Sequence, residues 1–142
     1  MQVLKEINYD LKGKQVCIIG STIVLGKPLA GMLNQSHATV SLLNSCTLNL
    51  ATYTKFADVI VSATGIKHLL TKNMVKDNVV LIDVGSNKDE NNVTHGDFDP
   101  NEFTEIASVI SPSPGGIGPI TISMLMYNVI KAYVHHLKNN DK

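Results

Sequence analysis

At 142 residues, 44% hydrophobic and 17% charged, the chain is long enough for one domain with a real core and too poor in charge for a disordered segment. Twelve lysines balance twelve acids to a formal net charge of zero, and arginine is absent; that balance argues against nucleic acid or an anionic membrane surface as a partner. Cys17 and Cys46 form neither a C-x-x-C nor a His-paired spacing, so no metal is expected and both thiols are expected to stay reduced.

The opening "MQVLKEINYD" is charged early and has no long apolar centre, so no secretory signal is visible. The sequons at Asn34 and Asn92 then read as chance matches, and no apolar run approaches the ~20 residues that cross a bilayer. A cytoplasmic domain is the expectation.

"QVCIIG" (Gln15 to Gly20), "ATVSLL" (Ala38 to Leu43), "DVIVSA" (Asp58 to Ala63) and "VVLIDVG" (Val79 to Gly85) are rich in Val and Ile and end in small residues, the pattern of buried parallel strands. A shorter fifth strand is expected at Ser108 to Ile110. Between the first two lies "GKPLAGMLNQSH", where Pro28 suits the first turn of a helix and Leu29, Met32 and Leu33 share a face. The polar stretch Ser86 to Glu102 reads as a long surface loop ending near a helix start at Asp99-Pro100. A last helix is expected from about Thr121 to Leu137, with Ile122, Leu125, Met126, Val129, Ile130, Tyr133, Val134 and Leu137 at helical spacing. The sum is an α/β domain, a Rossmann-like open parallel sheet with helices on both faces.

In such sheets ligands sit beyond the carboxyl ends of the strands, here the loops at Gly20, Asn44, Gly65, Gly85 and Pro112. "GSTIVLGKP" after the first strand has glycines for a tight turn and a helix start that attracts an anion, as a diphosphate cradle needs. It is not G-x-G-x-x-G, and a strand-Gly-helix join is equally sound α/β construction. After the second strand "LLNSCT" offers neither an acid for a ribose 2′-hydroxyl nor a base for a 2′-phosphate, so the residues leave NAD and NADP both open. Asp83 reads as a carboxylate capping backbone N–H groups rather than a general base. His37, His68, His95, His135 and His136 are scattered, and Cys46 has no base beside it in sequence.

"LKGKQVCIIGSTIVLGKP", "ATVSLLNSCT", "ADVIVSATG", "VVLIDVGSN", "GDFD" and above all "SPSPGGIGPITISMLMYN" together resemble, in order and gap, the dinucleotide-binding domain of methylenetetrahydrofolate dehydrogenase/methenyltetrahydrofolate cyclohydrolase. The resemblance runs from about Leu4 to Leu137. It implies a cofactor site at Gly20, Ser21, Thr22, Ser45, Gly65, Gly85, Ser86 and Thr121, with NADP as cofactor and NAD as an alternative. It also implies that the stiff Pro-Gly-Gly loop lies by the nicotinamide end and fixes the last helix.

Three departures bear on the cofactor. Ser21 stands where the family often has an Arg for the 2′-phosphate, Asn44 where it has a His, and Ser86 where it has an Ile. Losing a charged hydrogen bond to phosphate costs about 1.5–3 kcal/mol, which weakens the case for tight NADP binding. The family's folate cleft and its catalytic Tyr and Lys belong to an N-terminal domain that precedes this segment, so no catalytic residue is assignable here. Tetrahydrofolate derivatives are the implied partners through that domain. Apolar surface around Val3 to Ile7 and along the last helix is expected to lie open, with a homo-oligomer as its consequence. The alternative reading is a stand-alone, non-catalytic dinucleotide-binding or interaction module decayed from such an enzyme. A Rossmann domain for another nucleotide such as S-adenosylmethionine leaves the Pro-Gly-Gly loop unexplained.

Overall fold

The structure, a computed structural model, describes residues 1–140. After a short helix α1 (Gln2–Glu6), the chain runs β1 (Gln15–Ile19), α2 (Gly26–Gln35), β2 (Thr39–Leu43), α3 (Ala51–Thr54), β3 (Val59–Ser62) and β4 (Val80–Asp83). A small hairpin follows, β5 (Asn87–Lys88) and β6 (Thr94–His95), and then β7 (Val109–Ser111) and a long α4 (Ile117–Asn140). Five strands form one sheet in the order β2-β1-β3-β4-β7, and every pairing in it is parallel. This is the Rossmann-like arrangement expected from the strand pattern.

The central strands pair because their side chains are apolar on both faces. All of β3 and β4 and all but the first residue of β1 are buried, as a sheet covered on two sides requires. Alternation along the strands then sorts the core in two. Val16, Ile18, Val59, Val61, Val80 and Ile82 face α1 and α2 through Leu4 and Leu33. Cys17, Ile19, Ile60 and Leu81 face the other way, against Leu70, Phe98 and Phe103. Each such side chain stabilises the fold by about 1.5–3 kcal/mol when fully removed from water. The second face carries only the one-turn α3 and two 3-10 turns (Lys72–Met74 and Pro100–Phe103). Its bulk comes from Phe98 and Phe103, packed edge to face at 5.4 Å.

Three features differ from expectation. The stretch from Ser86 to Glu102 is not a surface loop throughout: β5 and β6 pair antiparallel, and Gly96, Asp97 and Phe98 behind them are buried. Phe98 goes inward for the aromatic pair and draws Asp97 with it. The expected helix start at Asp99-Pro100 is a 3-10 turn, with the Asp99 carboxylate accepting from Asn101 N at 3.0 Å. The last helix begins at Ile117, four residues before Thr121, with Gly118 and Pro119 inside its first turn. Proline fits there because N–H groups of a first turn have no helical partner to lose.

The remainder of α4 stands away from the sheet. Ile122, Met126, Ile130 and Tyr133 are all more than 60% exposed, an apolar face that no other described residue covers. By length and composition alone α4 is also apolar enough to cross a membrane, which the run-length reading of the sequence did not anticipate. Yet Thr121, Asn128, Lys131, His135 and Lys138 recur along one side of it, so it is amphipathic rather than apolar all round.

Candidate functional site

The strand order places the site. From β1 the chain passes to β2 on one side and then to β3 on the other, so the winding reverses beside β1 and opens a crevice beyond the carboxyl ends of β1 and β3. Gly20 sits at its floor with φ +120°, a backbone conformation that residues with a Cβ rarely adopt. A Cβ there would also lie 2.5 Å from the Ala63 carbonyl oxygen, and one on Gly26 would lie 1.9 Å from the Gly20 carbonyl oxygen. The loops after β1 and β3 and the start of α2 therefore meet backbone against backbone.

Ser21 and Thr22 follow in the loop that leads into α2. Thr22 Oγ1 accepts from Leu25 N at 3.3 Å and Thr22 O from Lys27 N at 3.0 Å, which turns the loop back toward the N-terminus of α2. That terminus, carrying partial positive charge, faces the same end of the sheet. After β2, Asn44 N donates to Thr47 Oγ1 at 3.1 Å and Cys46 N to Asn44 Oδ1 at 2.9 Å, a closed turn that leaves Ser45 exposed at its tip. Gly65, with φ +74°, lies in the turn after β3. Gly85 is buried and Ser86 exposed directly after β4. These seven residues all fall at the carboxyl end of the sheet.

Thr121 does not join them directly. It sits on α4, where its hydroxyl donates to Ile117 O at 2.9 Å, and it lines a separate apolar cavity of ≈ 490 Å³ among α1, α2, α4 and the sheet. Val24, Leu25 and Pro28 of the β1–α2 connection line the same cavity, so one loop has the crevice on one side and this groove on the other.

Two buried carboxylates support the site from beneath. Asp83, at the end of β4, accepts from Gly85 N at 2.8 Å, Asp97 N at 2.8 Å and Phe98 N at 3.3 Å, which bears out its reading as a capping carboxylate. Burial, and next the charge of Asp97, push its pKa up to about 6. Asp97, fully buried, accepts from Ser62 Oγ at 2.6 Å, Thr64 N at 2.8 Å, Thr64 Oγ1 at 2.9 Å and Gly65 N at 3.0 Å. Sequence reasoning passed over Asp97 because it lies in the most polar part of the chain. The signal available was an acid between Gly96 and Phe98, two residues suited to a buried turn.

A dinucleotide fits what these loops offer: bare backbone at Gly20 and Gly26, a helix N-terminus for a diphosphate, and hydroxyls at Ser21, Thr22, Ser45 and Ser86. Asn87 Nδ2 is in addition the one buried side-chain donor without a partner among the described residues, and its Oδ1 lies against Gly65. An acceptor arriving there would relieve about 1–3 kcal/mol of unmet hydrogen bonding. The remaining candidates fall away. His95 Nε2 pairs with Asp89 at 2.9 Å and His135 Nε2 with Asn139 at 2.9 Å. Cys46 is exposed, and burial raises the Cys17 thiol to about 12.

Residues 1–137 match the family described as "Tetrahydrofolate dehydrogenase/cyclohydrolase, NAD(P)-binding domain". The chain belongs to this family. It is 44% identical over 139 residues to the bifunctional protein FolD of Mycoplasma capricolum, covering 97% of this chain and 49% of the relative. Against FolD of Lactococcus lactis subsp. cremoris it is 43% identical over 140 residues, covering 99% and 49%. The crystal structure of FolD from Campylobacter jejuni superposes with a TM-score of 0.93 at 42% identity, over 96% of this chain and 48% of that one. The FolD structure from Trypanosoma brucei, complexed with NADP cofactor and inhibitor, superposes with a TM-score of 0.90 at 30% identity, over 96% and 49%. The chain thus spans about half the length of the curated relatives it matches, and that half is the family's NAD(P)-binding domain.

The raised Asp83 pKa has a consequence for stability. The folded state holds this proton more tightly than the unfolded chain, whose value is 3.8. The contribution is therefore full below 3.8 and is lost as pH rises through about 6, a change of about 3 kcal/mol at most. Asp83→Asn should flatten this part of the pH dependence. Urea unfolding at acid and neutral pH checks it: the fall in stability on going to neutral pH should be smaller in the variant than in the parent chain.

Proposed function

We propose that this chain is the cofactor-binding part of a bifunctional methylenetetrahydrofolate dehydrogenase/cyclohydrolase. In this reading it binds NADP, with NAD accepted, across the crevice between β1 and β3, and a folate-binding domain completes the active site. The observation that carries the reading is the coincidence of the family match over residues 1–137 with loops that converge at the switch point of the sheet. NADP supplies the acceptor for the hydride leaving 5,10-methylenetetrahydrofolate. The residues of this chain bind and orient: the α2 N-terminus and the loop Gly20 to Thr22 hold the diphosphate, Ser21 and Ser45 meet the adenosine ribose, and Gly65, Gly85 and Ser86 line the path toward the nicotinamide. Thr121 and the Pro-Gly-Gly loop shape the end where folate approaches. No catalytic acid or base belongs to this chain in the reading, and its setting is cytoplasmic.

The alternative of a non-catalytic module decayed from such an enzyme draws on Ser21, which supplies no cation for a 2′-phosphate. Cofactor titration tells the proposal from the interaction-module form of this alternative, which has no reason to keep a dinucleotide site. The dinucleotide-binding form is told apart by whether the chain supports NADP reduction by 5,10-methylenetetrahydrofolate once a folate-binding domain is supplied.

The uncovered face of α4 and the adjoining groove beside α1 are in this reading the docking surface of the folate-binding domain. The partner's chemistry is set by the face, which is apolar, broad and uncharged along Ile122, Met126, Val129, Ile130 and Tyr133. Where that domain is missing, copies of the chain should associate. Sedimentation over a concentration range should show a dimer or larger species for the parent and a monomer for Met126→Asp/Tyr133→Asp; a parent that stays monomeric at every concentration would contradict the surface assignment.

The cofactor reading is tested by calorimetry with NADP and NAD. With neither Arg nor a neighbouring Lys at Ser21 or Ser45, the 2′-phosphate meets only hydroxyls, N–H groups and the helix end. NADP and NAD are therefore expected within about tenfold of each other, at most ~1.4 kcal/mol. Ser21→Arg should strengthen NADP selectively, since a guanidinium can grip phosphate through two N–H groups and gains little from a bare ribose. NADP already bound hundreds of times more tightly than NAD would mean that a basic group reaches the phosphate and would overturn this account of the pocket.

A further inference from the structure

The crevice wall after β3 has a dedicated support. The carboxylate of Asp97 takes up four donors of the turn from Ser62 to Gly65, two hydroxyls and two backbone N–H groups, at 2.6 to 3.0 Å. Its own backbone N–H is tied to Asp83 Oδ2 at 2.8 Å, and Asp83 in turn receives Gly85 N. Asp97 also fills the hollow left by a missing side chain, for a Cβ on Gly85 would lie 1.9 Å from Asp97 Oδ1. Against Gly65 of the same turn lies Asn87, whose buried Nδ2 has no partner among the described residues. Thus one side chain, from a segment after the hairpin, fixes the loops that leave both β3 and β4, next to the buried unmet donor of Asn87.

We propose that Asp97 is a positioning residue for dinucleotide binding: it holds the Thr64–Gly65 turn in the conformation that receives the cofactor, without touching the cofactor itself. The inference rests on the cofactor reading given above. It differs from a role in general stability because the groups it orders are those of the site, at the carboxyl ends of the strands, and a buried carboxylate satisfied by four donors orders them more tightly than core packing alone. Without it the turn has to be ordered when the ligand arrives, and affinity falls in proportion to the fraction of chains in which the turn is already formed.

The test uses the full chain, NADP as the probe, and two readouts. Asp97→Asn keeps the size and loses the charge, and one of its two faces becomes a donor pointed at other donors. It should weaken NADP by about tenfold or more and speed hydrogen exchange at the Thr64 and Gly65 amides relative to those of β1. Val79→Ala provides the comparison: Val79 is buried at the opposite end of β4, so this variant loses stability without altering the site and should bind NADP within about twofold of the parent. Ser62→Ala, which removes one donor from the cluster, should give a smaller loss of affinity and keeps the test decisive if Asp97→Asn does not fold. Binding unchanged in Asp97→Asn, or in Ser62→Ala where Asp97→Asn does not fold, or weakened as much by Val79→Ala, would overturn the positioning role while leaving the cofactor reading intact. A parent chain that does not bind NADP at all would overturn both.

Discussion

Two carboxylates buried side by side hold the working end of this molecule together. Asp83 closes β4 and Asp97 closes the segment after the hairpin, and the chain between them is bent so that the N–H of Asp97 can serve the carboxylate of Asp83. Burying two acids is costly unless each is well supplied with donors. Here the supply is drawn from the loops themselves, so satisfying the carboxylates and shaping the loops are one event. The glycines at 85 and 96 follow from this. A side chain at either position would occupy the space of a carboxylate oxygen.

The sheet supplies the frame for that arrangement and α4 marks its limit. The strands are buried on both faces by α1 and α2 on one side and by the phenylalanine pair on the other. They bring the ends of β1, β3 and β4 into register: Ile19 lies beside Ser62 and Ser62 beside Asp83. Beyond its first turn α4 gains little from this core: Met124 is half-buried beside α1 and α2, while Ile122, Met126, Ile130 and Tyr133 lie open. A helix left this bare derives its order from local hydrogen bonding and gains further stability only when another surface covers it. The curated relatives are about twice as long as this chain.

Much of the architecture was legible because parallel strands buried on both faces write themselves as runs such as "CII", "VIVS" and "VLID". The loops after them were legible because glycine and small hydroxyl residues recur there. The start of α4 was misplaced since Gly118 and Pro119 read as breakers, although a first turn tolerates both. The hairpin and the burial of Asp97 were hidden for a different reason. In "NKDENNVTHGDFD" polar residues dominate, and only the tertiary contacts of Phe98 and the donors of Ser62 and Thr64, some thirty-five positions away in sequence, turn one of those acids inward. The position of Thr121 depended likewise on how far α4 leans from the sheet, a property of packing rather than of pattern.

The central claim is that a dinucleotide lies across the carboxyl ends of β1, β2, β3 and β4 rather than in the apolar groove beneath α4. Backbone amide chemical-shift mapping of the chain titrated with NADP tests it most directly. The account predicts that shifts concentrate at Gly20 to Thr22, Asn44 to Thr47, Thr64 to Gly65 and Gly85 to Asn87, with the amides of Gln2 to Leu4 and Met124 to Asn128 little changed. Shifts confined to those last two segments, or none at saturating NADP, would contradict it.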